Sequence, residues 1–193
     1  MGVTTKIDTA DYAAWADRLQ GTNINGTTLL ATDYLNHFNE VIMLIEMVPD
    51  MPDIIEDVLA WEPKTYVQHF ADSGFRDKDL AIEAYAHVPE NLLAQFEALV
   101  ACLNGNIFRG QQRLRDIDPS DPPESLGEEI RVSIGKFHRL VEMISSVING
   151  ATANRETIEP DEICASAEGQ SSTQDEIDAL FSNGPEQPSI RLQ

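Results

Sequence analysis

Two polar side chains in the stretch LNHFNEVIM, Asn36 and Glu40, have the type and spacing to act together on a small polar group. Residues four apart in a helix project from the same face, one turn from each other. An amide or carboxylate oxygen held in this way can orient a water molecule for attack. Together with Asn39, the same residues also fit the plain solvent-facing side of an amphipathic helix. The sequence leaves both interpretations open.

Histidines and carboxylates elsewhere give little support to a metal site. His37 and Glu40 stand at i, i+3, and His69 could join them in a helical bundle. Glu83 with His87 is the other candidate pair. Helical two-metal sites are built from repeated Glu-x-x-His motifs, and the sequence contains none. We therefore predict no metal site and no cofactor of the chain's own.

Apolar residues recur at helical spacing along residues 1–150, and no segment alternates in the manner of a strand. This pattern predicts an all-α protein, a helical bundle domain with a flexible C-terminal tail. Its central helix is expected to span residues 29–48 and to bury one face. That face comprises Leu30, Tyr34, Phe38, Val41, Ile45 and Val48. A long last helix is expected to end at Asn149 and Gly150, because glycine commonly follows a helix C-terminus.

The composition changes after residue 150. Residues 151–170 are mainly Ala, Thr, Ser, Glu and Gly with almost no large apolar group, which predicts a disordered linker. Residues 171–193 are then expected to form an amphipathic tail that binds a partner.

The tail contains one short amphipathic segment. Ile177, Leu180 and Phe181 fall on one side of a helix. The acidic side carries Asp175, Glu176 and Asp178. So short a helix is marginal alone in water, so it needs a groove to fold into. The groove could belong to a partner or to the chain's own domain, and the pattern alone does not choose between them.

The charge of the chain excludes several partners. There are 33 acidic and 13 basic residues among 193, for a net charge of −20, which repels nucleic acid and anionic membranes. The sequence begins without an apolar signal core and has no apolar run long enough to span a membrane. Cys102 lies in a predicted helix and Cys164 in the polar tail, so we expect no disulfide, as in a reducing compartment. These features predict a cytoplasmic protein.

The tail segment resembles a known recognition sequence. TQDEIDALFS, residues 173–182, is similar to the SQDEIDALL segment of the flagellar switch protein FliM, which binds the phosphorylated response regulator CheY. The match departs at Thr173 and at Phe181. A related acidic and apolar helix on a linker closes the CheZ chemotaxis phosphatases, and the C-terminal position favours that family.

A second stretch resembles the same family. LLATDYLNHFNEVI, residues 29–42, is similar to the CheZ active-site pattern L-x-A-x-D-F-x-D-x-x-G-Q-V-I. Tyr34 replaces the aromatic residue of the pattern. The family's catalytic acid falls on Asn36 and its catalytic glutamine on Glu40, so amide and carboxylate are exchanged. The identical positions are Leu29, Ala31, Asp33, Val41 and Ile42.

The resemblance implies a role in chemotaxis, flagellar motility and two-component signalling. It implies a protein that binds a phosphorylated CheY-like response regulator and promotes its dephosphorylation, with Asn36 and Glu40 as the catalytic residues. The Mg²⁺ ion is expected on the regulator. The alternative is a non-catalytic adaptor or localisation factor with the same tail. A homodimer is left open.

Overall fold

The structure is a computed structural model that describes residues 9–150, with side chains described from Ala14 onward. Its helices confirm the all-α prediction, and within the described range the only extended pairing is one isolated bridge between Ile24 and Ala31. The predicted linker 151–170 and tail 171–193 lie outside the described residues. The helices are α1 Thr9–Arg18, α2 Asn36–Met47, α3 Ile55–Ala60, α4 Tyr66–Asp72, α5 Lys78–Tyr85, α6 Glu90–Arg115 and α7 Leu126–Ile148.

The central helix begins later than the sequence predicts. Helix α2 starts at Asn36, after a 3-10 turn over Thr32–Leu35. Leu29 has a φ of 62°, in the left-handed region, and its N–H donates to the carbonyl of Asn25 at 2.8 Å. This turn over residues 25–29 prevents a continuous helix from beginning before residue 32. The prediction of one helix over residues 29–48 is therefore wrong in its first seven residues.

The side chain of Asn25 stabilises the turn over residues 25–29. The Asn25 carboxamide oxygen accepts the N–H groups of Thr27 and Thr28 at 2.8 and 3.0 Å. Asparagine commonly binds the backbone two or three residues ahead in this way, and such turns compete with helix formation. The Thr28 hydroxyl then donates to the carbonyl of Ile148 at 2.5 Å, which ties the turn to the end of α7.

The buried face of α2 was predicted correctly. The side chains of Tyr34, Phe38, Val41, Ile45 and Val48 are all buried. Full burial of one such side chain contributes roughly 1.5–3 kcal/mol to folding. Helix α2 contacts α3 and α7, so burial of this face holds the helix against two other elements.

Helices α6 and α7 form an antiparallel pair. Arg113 on α6 binds Glu129 on α7 at 3.0 Å. Gly110, earlier on α6, faces the ring of Phe137, which lies later on α7. Helix α6 runs without a break through Gly105 and Gly110.

Cys102 on helix α6 is disulfide-bonded, so the expectation of no disulfide is wrong for this residue. The cysteines therefore no longer support a reducing compartment. Cys164 lies outside the described residues.

One buried polar side chain connects α6 to the end of α3. The Gln111 amide nitrogen donates to the carbonyls of Val58 and Trp61 at 2.8 and 2.9 Å. These carbonyls lie at the C-terminus of α3, where the Val58 carbonyl also accepts the Trp61 N–H at 3.4 Å and the Trp61 carbonyl lies beyond the last turn of the helix. Gln111 therefore fixes the position of Trp61 against the rest of the bundle.

We predict that Gln111→Met lowers the free energy of unfolding by about 2 kcal/mol, because buried carbonyls lose their donor. Urea unfolding measures the change. Gln112→Met is the matched control: Gln112 is exposed, and its substitution should change stability by less than about 0.5 kcal/mol. Equal effects of the two substitutions would contradict a role for the Gln111 amide.

Candidate functional site

The solvent-facing side of α2 is mostly polar, and we call it the outer face of α2. It consists of Asn36, Asn39, Glu40 and Met43, which are all exposed. Met43 keeps 52% of its surface accessible. The buried face of the same helix holds these residues in place, since a packed helix cannot rotate without exposing its apolar side.

The structure brings Asn36 and Glu40 together on this outer face. They stand four residues apart within α2, so their side chains leave the helix one turn from each other. Neither side chain bonds to another residue of the described chain. The N–H of Asn36 is hydrogen-bonded to carbonyls in the preceding 3-10 turn, which fixes the start of the helix. Both polar groups are therefore oriented by the backbone and available to a partner.

His37 lies on the buried flank of the same helix turn. Its ring is only 7% exposed and stacks on Trp61, with ring centroids 4.7 Å apart. Its Nε2 accepts the backbone N–H of Lys64 at 3.0 Å, and Trp61 Nε1 donates to the His37 carbonyl at 3.2 Å. An acceptor Nε2 requires a neutral ring that carries its proton on Nδ1. His37 therefore attaches the segment after α3 to α2.

Burial keeps His37 neutral. It lowers the pKa of His37 to about 4, and the nearby His69 and Lys64 add to the shift. Burial also lowers the pKa of His69, whose ring centroid is 6.0 Å from that of His37. At neutral pH these rings are hydrogen-bonding and packing groups that carry no charge.

His37 and Glu40 do not face a common site. His37 is buried beside Trp61, whereas Glu40 faces solvent. Between residues 14 and 150, no three histidine, cysteine, aspartate or glutamate side chains are grouped closely enough to hold a metal ion.

A cleft beside α2 could not be predicted from the sequence. It is an open depression of about 440 Å³ between the start of α2 and the last turns of α7. Its walls combine residues that are more than a hundred positions apart, so no local motif could reveal it. A pair between Glu46 and His138, 3.0 Å apart, joins the two helices further along. The lining residues are Leu35, Val141, Glu142, Ser145, Ser146 and Asn149.

The predicted partner-binding residues of the tail lie outside the described residues. They are Asp175, Glu176, Ile177, Asp178, Leu180 and Phe181. No helix in the described part of the chain has the length and apolar character needed to cross a membrane. Comparison with known proteins finds no matching family model, curated protein or solved structure.

We predict that the free energy of unfolding decreases by about 2–3 kcal/mol as the pH falls from 6.5 towards 4 through His37. The unfolded histidine binds a proton near pH 6.5, whereas the folded one resists protonation down to about pH 4. The contribution of His37 to the free energy of unfolding is therefore complete above pH 6.5 and is lost as the pH falls towards 4.

Urea unfolding across this pH range tests the prediction. His37→Gln keeps a hydrogen-bond acceptor but does not titrate, so its stability should vary less with pH than that of the unmodified protein. His87→Gln, at an exposed position, is the matched control. If the His37→Gln profile is as steep as that of the unmodified protein, His37 is not the group responsible.

Proposed function

We propose that this chain is a CheZ-like chemotaxis protein that binds a phosphorylated response regulator and promotes its dephosphorylation in the cytoplasm. The observation that carries the proposal is the pair Asn36 and Glu40, exposed and unengaged on a rigid helix. The likeness of residues 173–182 to a CheY-binding segment supplies the choice of partner.

Hydrolysis of the regulator's aspartyl phosphate requires few groups from the protein that stimulates it. A water oxygen forms a bond to phosphorus while the bond from phosphorus to the aspartyl oxygen breaks, which releases inorganic phosphate and regenerates the carboxylate. The regulator supplies the Mg²⁺ ion that neutralises charge on the phosphoryl group. The missing component is a water molecule held in line with the bond that breaks.

Asn36 and Glu40 differ in how they could hold that water. An amide oxygen carries no net charge, so it approaches the phosphoryl oxygens without repulsion. A carboxylate is repelled unless a lysine of the regulator offsets its charge. Their spacing allows one of them to orient the water while the other pairs with the rim of the regulator's site. We leave the assignment to the variants below.

Recruitment is assigned to the tail. Residues 171–193 would hold the regulator through Ile177, Leu180 and Phe181, and the acidic residues would meet a basic rim. Helix α7 ends at Ile148, and the next residue, Asn149, lines the same cleft as Leu35. Leu35 directly precedes Asn36, so the described part of the chain ends near the start of α2. A regulator bound to the tail would be held at a raised effective concentration around the domain.

An adaptor or localisation factor is the second candidate. The exchange of amide and carboxylate relative to the CheZ pattern favours it, because the two positions differ where that family performs its chemistry. In this case the tail would bind the regulator without changing the lifetime of its phosphoryl group.

We predict that Asn36→Ala or Glu40→Ala lowers the stimulated dephosphorylation rate roughly a hundredfold, because a positioned water is lost. A CheY-like receiver domain phosphorylated with acetyl phosphate is the substrate, and release of phosphate is followed over time. Binding should be unchanged because the tail is intact. Asn39→Ala, on the same outer face, is the matched control and should retain the full rate.

The outcomes separate the two candidates. Loss of rate with one variant and retention with Asn39→Ala support the catalyst. If the unmodified protein binds the phosphorylated domain but does not shorten its lifetime, the adaptor is supported. Absence of binding by the unmodified protein contradicts both.

We also predict that Leu180→Ala or Phe181→Ala weakens regulator binding more than Asp178→Ala does, because central apolar anchors dominate an interface while rim charges act mainly on the association rate. Titration calorimetry at low and high salt measures this difference. The effect of Asp178→Ala should shrink as salt screens the charge. Equal losses for all three substitutions at both salt concentrations would argue against helix-in-groove binding.

A further inference from the structure

Three asparagines in the described part of the chain are followed directly by glycine. The pairs are Asn25–Gly26, Asn104–Gly105 and Asn149–Gly150. Such a pair can lose ammonia without an enzyme, because no side chain shields the glycine nitrogen. In this reaction the glycine nitrogen attacks the carbonyl carbon of the asparagine side chain. The reactivity of each pair therefore depends on what the fold does to these atoms.

The attacking nitrogen is free only at Gly26. Its N–H donates to no group between residues 14 and 150. The Gly105 nitrogen lies within α6, where its N–H belongs to the hydrogen bonds of the helix. The Gly150 N–H donates to the Val147 carbonyl at 3.1 Å. At both of these glycines a hydrogen bond must break before the nitrogen can attack.

The attacked carbonyl is polarised at Asn25. Its Oδ1 accepts the N–H groups of Thr27 and Thr28 at 2.8 and 3.0 Å. Negative charge develops on this oxygen as the nitrogen adds to the carbonyl carbon, and donors that are already in place stabilise such charge. By contrast, Asn104 Oδ1 is buried and accepts no hydrogen bond from the described residues.

The leaving nitrogen is also unrestrained at Asn25. No acceptor within the described range binds its Nδ2, whereas Asn149 Nδ2 donates to the Ser145 carbonyl at 2.9 Å and to the Ser145 hydroxyl at 3.3 Å. Asn25 and Asn149 line the same open depression of about 240 Å³, so water reaches both. Asn149 is the more exposed of the two. Exposure and hydrogen bonding therefore predict opposite orders of reactivity.

We propose that Asn25 is a site of spontaneous deamidation, promoted by the turn over residues 25–29. The Gly26 nitrogen forms a bond to Asn25 Cγ as its proton passes to water or hydroxide. The bond from Cγ to Nδ2 then breaks, and ammonia leaves. Water adds to one of the two carbonyls of the resulting cyclic imide and opens it. One molecule of water is consumed and one of ammonia is released, and no other reactant is needed.

The two directions of ring opening have different consequences for the turn. Aspartate keeps an oxygen that can accept the N–H groups of Thr27 and Thr28, so the turn survives. Isoaspartate adds one atom to the main chain after residue 25 and moves that oxygen away. The same turn holds Thr28, whose hydroxyl donates to the Ile148 carbonyl. We therefore expect isoaspartate to loosen the attachment of the turn to the end of α7.

Ageing of the full-length chain at mildly alkaline pH tests the proposal, with peptide mass spectrometry to resolve the three pairs in one sample. We expect Asn25 to deamidate at least about tenfold faster than Asn104 or Asn149, because its nitrogen is free and its carbonyl is polarised. Asn149 is the matched internal control, since it borders the same depression and is more exposed. In concentrated urea the three pairs should react at similar rates.

Gly26→Ala tests the role of the attacking nitrogen. A Cβ at this position would lie 3.7 Å from the nearest atom, Ala16 Cα, which is an ordinary contact, so the variant should fold. It should slow deamidation of Asn25 roughly tenfold, because the methyl group crowds the nitrogen, and leave Asn149 unchanged. Thermal unfolding checks that the fold is retained.

Three results would overturn the proposal. The first is deamidation of Asn149 or Asn104 in the folded chain that is as fast as that of Asn25. The second is slower deamidation of Asn25 in the folded chain than in urea, since the turn would then protect the residue. The third is an unchanged rate at Asn25 in folded Gly26→Ala.

Discussion

Burial of the apolar face of α2 is the constraint on which the rest of the described chain depends. Tyr34, Phe38 and Val41 have almost no accessible surface, and α2 packs against α3 and α7. Rotating α2 by a quarter turn would expose several of these side chains, at roughly 1.5–3 kcal/mol each. The exposure of Asn36 and Glu40 follows from that packing, since they lie on the side of α2 that the core does not cover.

Polar contacts of long sequence separation refine this packing. Gln111 on α6 binds the end of α3, Trp61 after α3 stacks on His37, and His37 accepts the N–H of Lys64. The hydrogen bonds of Gln111 and His37 satisfy backbone groups that are buried or partly buried. Together they connect α6 to α2 through a segment that has few regular hydrogen bonds of its own.

The sequence was sufficient for the fold class and for the core of α2, because helical spacing of apolar residues is a local signal. It was insufficient for the start of α2, where the Asn25 side chain makes a turn that the apolar pattern of Leu29 and Leu30 concealed. The exposure of Asn36 and Glu40 could also be predicted, as the complement of the buried face. The cleft between Leu35 and Val141 could not, because it exists only when distant helices pack. The role of His37 as a neutral acceptor depends equally on tertiary contacts.

Leu29 combines two requirements that no single amino acid meets well. Its φ of 62° suits glycine or asparagine, whereas its side chain is completely buried. Glycine would relieve about 1 kcal/mol of backbone strain but would leave a cavity, and asparagine would bring an amide into an apolar site. Other branched side chains would keep the volume but worsen the strain. Substitutional tolerance at this position should therefore be among the narrowest in the chain, although the residue lies in a turn and takes no part in the site.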